Sequence, residues 1–238
     1  MVIPLDALRK DRVAIVTGGS RGMGRETIHR LATLGYAVVV NYVHDQRAAE
    51  STVDAVLEGG GAVVAVRADV TDALDVERLF DQTIETFGAI DAVVHAVRGH
   101  VAPVPLTEVG FDDFDEMCRT NIRAAFIVNR MAARQLREGG AIVNLFSSVD
   151  ASVLPSYGGY ATTTAAVATL TRLLALELRE RRITVNGVSL VVDKACAPSR
   201  VAQVVTYLLG DEGHSITGHV IHLEDPPRPD LNEANCQH

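Results

Sequence analysis

Ala14-Ile15-Val16-Thr17-Gly18-Gly19-Ser20-Arg21-Gly22-Met23-Gly24 opens as an apolar β-run over residues 13–16 and breaks directly into a glycine-rich turn. An amphipathic helical pattern follows over residues 23–34, and a second apolar run over residues 36–41. Strand, turn, helix and strand at this distance form a βαβ unit. Gly18, Gly22 and Gly24 allow a tight turn and a close backbone approach. The helix after them offers unpaired N–H groups at the positive end of its dipole. The stretch reads as a cradle for a pyrophosphate.

Working outward, the same alternation continues. Residues 45–57 read as a helix with Asp45 near its cap, 62–66 as a third strand, and 72–87 as a helix with Leu74, Leu79, Ile84 and Phe87 broadly on one side. A fourth strand covers 90–96. A long helical region follows over 110–138, with acids in its first turn and Arg130, Arg134 and Arg137 near its end, as the dipole favours. Strand five covers 141–146, a second long helix 158–181, strand six 183–188, a short helix capped by Ser199 201–209, and a last strand 219–223. Short apolar runs alternating with helices predict an α/β fold: one domain over 1–225, a doubly wound, mostly parallel seven-stranded sheet with helices on both faces. Residues 226–238, polar and proline-rich, read as a frayed tail.

Composition narrows the function classes. The 238 residues are 47% hydrophobic and 22% charged, with a formal charge of −8 and a pI near 5.4. Nucleic-acid and anionic-membrane surfaces need clustered Lys and Arg, so neither partner is expected. Cys118, Cys196 and Cys236 are scattered and odd in number, which points to a reducing, cytoplasmic setting. Without a basic-then-apolar pattern over the first residues no targeting leader is expected, and no apolar run approaches the ~18 residues of a membrane span. His219 and His222 fall on opposite faces of a predicted strand, a poor metal pair, so no metal site is expected. His95 and His100 flank a strand end, where a structural histidine and one facing a pocket remain open alternatives.

The motifs together resemble the short-chain dehydrogenase/reductases, most closely their 3-oxoacyl-carrier-protein reductase-like ketoreductases. The resemblance spans about residues 10–225 and rests on the Thr17-to-Gly24 turn, Asp69-Val70 after strand three, Asn121 in the long helix, Ile142-Val143-Asn144 running into Ser147, Tyr160-Ala161, and Ile216-Thr217-Gly218-His219-Val220. It implies a Rossmann fold and a nicotinamide dinucleotide held by Gly18, Ser20, Arg21, Gly22, Met23, Gly24 and Asn41, with Asp69 and Val70 at the adenine. Strand two ends in Asn41 rather than an acid, and Arg21 stands beside the turn to meet a 2′-phosphate, so NADP(H) is the cofactor expected if any dinucleotide binds, with obstruction of the site by Arg98 the alternative. A solvated surface charge is the other reading of Arg21. The resemblance further implies that Ser147, 13 residues before Tyr160, orients a carbonyl, that Tyr160 passes the proton, and that Asn121 bridges backbone groups within its helix.

The sequence departs from the family around the reacting end. Active members carry a lysine four residues after the tyrosine; here Thr164 stands there. The only lysines, Lys10 and Lys194, precede strand one and follow strand six. Without a neighbouring cation a phenol ionises only near pH ~10, so oxidation, which needs the phenolate, suffers most, and reduction survives in weakened form. The family's Asn-Asn-Ala-Gly becomes His95-Ala96-Val97-Arg98, its Pro-Gly corner becomes Leu190-Val191, and its long substrate segment shrinks to residues 193–199. Four changes around one site predict an impaired ketoreductase acting as the partner subunit of an active paralogue. Two alternatives stand beside it: a working NADPH-dependent reductase of an acyl or polyketide-like carbonyl, and a cofactor-independent dehydratase or cyclase on the same scaffold.

Residues 165–178 are apolar over more than one stripe, so part of that helix wants a partner. By resemblance, the helices over 111–138 and 158–181 form a subunit interface, homo- or hetero-oligomeric, through Ala165, Ala168, Leu173 and their neighbours.

Overall fold

Seven apolar runs become parallel strands; the central ones are buried on both faces, whereas the two edge strands stay partly exposed. In the computed structural model, which describes residues 12–96, 99, 103–148, 156–191 and 196–223, they are β1 (Val13–Thr17), β2 (Ala37–Tyr42), β3 (Ala62–Arg67), β4 (Ala92–His95), β5 (Ala141–Ser148), β6 (Thr184–Val191) and β7 (Val220–Leu223). Their order across the sheet is β3-β2-β1-β4-β5-β6-β7, and every neighbouring pair is parallel. The order reverses between β1 and β4, where a doubly wound sheet opens its crevice. The chain therefore builds one Rossmann-type α/β domain.

The longer helices are α1 (Gly22–Thr33), α2 (Gln46–Glu58), α3 (Ala73–Phe87), α4 (Phe111–Met117), α5 (Ala124–Gln135), α6 (Gly158–Glu177) and α7 (Pro198–Leu209). Side chains alternate along each strand, so Ala14 and Val16 of β1 pack under Ile28 and Leu31 of α1 and Val201 and Val205 of α7. Ile15, between them, faces the opposite layer with Leu79 and Phe80 of α3, Val128 of α5 and Leu174 of α6. Asp45 caps α2 by accepting the Ala48 N–H at 2.9 Å, and Asp72 caps α3 through Leu74 and Asp75.

Two local expectations fail. Leu74 sits in the first turn of α3 and is 63% exposed; the buried stripe runs through Val76, Leu79, Phe80 and Thr83 instead. The long helical region expected over 110–138 is present, running unbroken from Phe111 to Gln135, with a π-turn at Cys118–Arg123 in which Asn121 is buried. Ser199 does not cap α7: the helix begins a residue earlier, at Pro198, after an extended Ala197, since proline is preorganised for a first helical position. The predicted tail over 226–238 lies outside the described residues, as do Lys10, Lys194 and Cys236.

One buried polar knot joins the layers beneath the site. Asn144 of β5 and Asn129 of α5 exchange amide hydrogen bonds at 2.8 and 3.0 Å, and Asn144 also donates to Thr171 of α6 at 3.0 Å. All three residues are fully buried, so each group depends on the others for its partner. Asn144→Leu is expected to lower unfolding free energy by at least about 2 kcal/mol, at ~1–3 kcal/mol per orphaned group. Urea denaturation checks this, and Asn129→Leu combined with Asn144→Leu should cost less than the two single changes added together.

Candidate functional site: a glycine-rich turn and a buried polar cluster

The turn between β1 and α1 lies at the carboxyl end of β1 and folds back on itself. A Cβ on Gly24 would stand 2.4 Å from the Gly18 carbonyl oxygen, and one on Gly19 would stand 2.5 Å from Ile28 Cδ1. Gly19 is thus limited by space, whereas Gly18 and Gly22 are limited by positive φ angles of 65° and 53°; the signal for Gly19 was only its place in the turn. The Gly19 N–H donates to the Asn41 carbonyl at 3.0 Å, which fastens the turn to the end of β2. Arg21 is the extended residue before α1, and no side chain caps the helix amides. Those amides, with Ser20 and Met23 half-buried beside them, form a cradle that fits a diphosphate.

Around this cradle the predicted nucleotide residues divide. Asn41 is fully buried, and its amide donates to the Ala68 and Val66 carbonyls of the neighbouring strand segment at 2.9 and 3.4 Å. Its backbone carbonyl, not its side chain, therefore faces the turn. Val70 is buried, and Asp69 accepts from the Thr71 N–H at 2.9 Å and hydroxyl at 2.8 Å. Partial burial alone would raise the Asp69 carboxyl, but these two bonds and the nearby Arg119 and His44 hold it below the usual range. Arg21 pairs with Asp45 of the following loop, a contact that sequence reading did not find because it treated Asp45 only as a helix cap.

The reacting end is built on β4, β5, the π-turn and α6. Asn121 accepts from the Gly99 N–H at 3.0 Å and donates to the Thr163 hydroxyl at 2.9 Å. Tyr160, 5% exposed, sits in the first turn of α6. One turn on, Thr164 is buried and its hydroxyl donates to the Ala161 carbonyl at 3.1 Å. Ser147 is paired in β5 against Leu190 of β6, at the carboxyl end of the sheet; its side chain lies outside the described residues, as does Arg98. His95 is fully buried at the end of β4. Its Nδ1 meets the Thr17 hydroxyl at 2.9 Å, while Nε2 has no partner among the described residues. His95, Asn121, Tyr160 and Thr164 line one cavity of about 10 Å³, walled by Phe146 and Val167. That is room for one water. A larger cleft of about 320 Å³ lies at the amino ends of the strands, beside Arg12, Tyr36 and Asp91, away from all of this chemistry. Among the described residues no His, Cys, Asp and Glu side chains gather as a metal site, and no helix is long and apolar enough to cross a membrane.

Comparison with known proteins agrees with the sheet order and the cradle. The family model described as short chain dehydrogenase matches residues 12–194. The chain belongs to the short-chain dehydrogenase/reductase family. Versicolorin reductase stcU of Emericella nidulans is 40% identical over 180 residues, which is 75% of this chain and 67% of that protein. The structure of LugOII, described as a promiscuous reductase catalysing keto-reduction at C1 during lugdunomycin biosynthesis, superposes with a TM-score of 0.83 at 32% identity, covering 92% of this chain and 97% of the other. A short chain dehydrogenase from Burkholderia cenocepacia, solved in complex with NADP, gives a TM-score of 0.82 at 30% identity over 92% and 98% of the two chains. This short-chain dehydrogenase/reductase thus keeps the family's sheet and turn while carrying Thr164 and His95 at its reacting end.

Burial pushes the His95 imidazole down to about 4 from its ordinary 6.5. The unfolded chain then binds the extra proton first, so stability present above pH ~6.5 is lost as pH falls toward 4, by roughly 3 kcal/mol in total. Urea unfolding at intervals between pH 7 and 4 should show a flatter decline for His95→Leu than for the wild type, and equal slopes would contradict the neutral, buried assignment.

Proposed function

We propose that this chain is an NADP(H)-binding, ketoreductase-like subunit whose hydride transfer is impaired and which assembles with an active reductase of its family in a cytoplasmic setting. The observation that carries the reading is Thr164. It stands one helical turn beyond Tyr160, and its hydroxyl is engaged by the Ala161 carbonyl, so α6 offers Tyr160 no cation. A bound nicotinamide supplies or accepts hydride. The chain's part is to place a carbonyl by Ser147 and to hold or move a proton at the Tyr160 hydroxyl. Without an ammonium beside it, the phenol can donate in the reducing direction but is poorly held as a base in the other. Neutral His95, shut behind the same cavity, does not replace the missing charge.

Support for NADP(H) comes from the diphosphate cradle, from Arg21 at its edge, from the absence of an acid at the end of β2, and from the NADP complex of the Burkholderia protein. Support for a subunit role comes from apolar side chains left uncovered on α5 and α6: Phe126 is 54%, Leu173 54% and Leu176 63% exposed, with Ala165 exposed beside them. We read these uncovered side chains as part of a docking surface rather than a solvated face. The second reading, a working reductase of a polyketide-like ketone, is favoured by retained Tyr160 and Asn121 and by the names of stcU and LugOII.

Turnover of an aromatic polyketide-type ketone with NADPH separates the readings. Under the impaired reading Thr164→Lys accelerates NADPH oxidation by about 10²-fold or more, the usual weight of an acid–base group. A wild-type kcat already in the ordinary range of about 1–10³ s⁻¹ overturns it in favour of the working enzyme. Co-expression with a lysine-bearing reductase should yield a mixed oligomer that Leu173→Glu with Leu176→Glu dissociates. A homo-oligomer that leaves the other enzyme's rate unchanged would refute the partner role.

A further inference from the structure

The hydrogen bonds that lead to His95 all run in one sense. A backbone N–H can only donate, so the Ala96 N–H, 3.2 Å from the Thr17 hydroxyl oxygen, fixes that oxygen as its acceptor. The Thr17 proton then turns to His95 Nδ1 at 2.9 Å, since the hydroxyl has no other acceptor among the described residues. A neutral imidazole that accepts at one nitrogen carries its proton on the other. That other nitrogen, Nε2, is buried and without a partner among the described residues. Beside it His95, Asn121, Tyr160 and Thr164 share the cavity of about 10 Å³, room for one water. Asn121 is already engaged by Gly99 and Thr163. The Thr164 hydroxyl gives its proton to the Ala161 carbonyl at 3.1 Å, so toward the cavity it can only accept.

We infer that His95 is a positioning residue for Tyr160, acting through one water that accepts from Nε2–H and donates to the Tyr160 and Thr164 hydroxyls. Partners of this number are usual for a buried water. With both water protons spent in this way, the Tyr160 oxygen receives a hydrogen bond from inside the protein, and its own proton is left for a substrate carbonyl. No proton travels along the chain. Ala96, Thr17, His95 and the water set only the sense in which each bond is made. The imidazole therefore adds no charge, and the arrangement suits Tyr160 to donate, as the reducing direction requires. This rests on the reading that Tyr160 hands its proton to a carbonyl.

The test begins on the unaltered chain. Long-range proton–nitrogen correlations in nitrogen-15 histidine-labelled protein, with the His95 signal assigned by its loss in His95→Asn, are expected to place the imidazole proton on Nε2. A high-resolution crystal structure is expected to show one ordered water within hydrogen-bonding distance of both Nε2 and the Tyr160 hydroxyl. A proton on Nδ1, a dry cavity, or a water that does not reach Tyr160 overturns the inference whether or not the protein turns over. In single-turnover reduction of an aromatic polyketide-type ketone by NADPH, His95→Asn can still meet Thr17 but is too short to reach the cavity. It should lower the rate about tenfold at unchanged NADPH affinity, the weight of one hydrogen bond. His95→Gln, whose longer side chain carries an amide N–H to the place of Nε2, should recover most of that loss. The opposite order, with Gln slow and Asn like the wild type, assigns His95 to the Thr17 contact alone and overturns its role at Tyr160. A Tyr160→Phe rate equal to the wild type, with the Nε2 proton and the water both in place, overturns instead the reading of Tyr160 as the proton donor, and the positioning role with it.

Discussion

The Thr17–His95 contact sits where the sheet reverses direction, and both ends of the crevice depend on it. β1 and β4 run side by side with Thr17 opposite His95. Beyond these two residues one chain turns into the phosphate cradle and the other toward the reacting end. The Thr17 hydroxyl accepts the Ala96 N–H at 3.2 Å and pairs with His95 Nδ1 at 2.9 Å, so both departing chains are tied at the level where they separate. The same contact puts an imidazole in a fully buried place, with its other nitrogen unpartnered beside a water-sized cavity. A buried polar atom of this kind is costly unless water reaches it, which is why the cavity matters to the fold as well as to Tyr160.

The two ends of the crevice differ in how easily they erode. The cradle is made of backbone: at Gly19 and Gly24 any side chain would strike a carbonyl or a buried isoleucine, so substitution threatens the fold itself. The reacting end is made of side chains set on helices and strand ends. There Thr164 sits in α6 without disturbing it, because a threonine hydroxyl bonds readily to a carbonyl of the preceding turn. The shape of the cradle therefore does not depend on which side chain stands at position 164.

The helices behind the site are held by groups serving more than one element. The Asn129–Asn144–Thr171 knot joins α5, β5 and α6, and Asn121 joins the π-turn to α6 through Thr163 while accepting the Gly99 N–H. On the outside the same helices expose Phe126, Leu173 and Leu176. Their inner faces are tied together within this chain, whereas their outer faces leave these apolar side chains uncovered.

Much of the architecture was legible in the sequence because doubly covered strands read as unbroken apolar runs, and because Gly18 to Gly24 and the Tyr160–Thr164 spacing are local features that need no folding to be seen. The sequence alone determined the seven strands, the turn, the missing lysine and the excess apolar surface of residues 165–178. Periodicity, however, reports only which face of an element is apolar. It could not show that Leu74 stays in solvent, that a π-turn lies within the long helix at Asn121, or that helix seven starts on a proline. Nor could it show that Arg21 meets Asp45, that Asn41 turns its amide into the sheet, or that His95 and Tyr160 line one small cavity. Those facts depend on which loops the sheet order brings together, and contacts between residues far apart in the chain are decided only when packing fixes the distance between them.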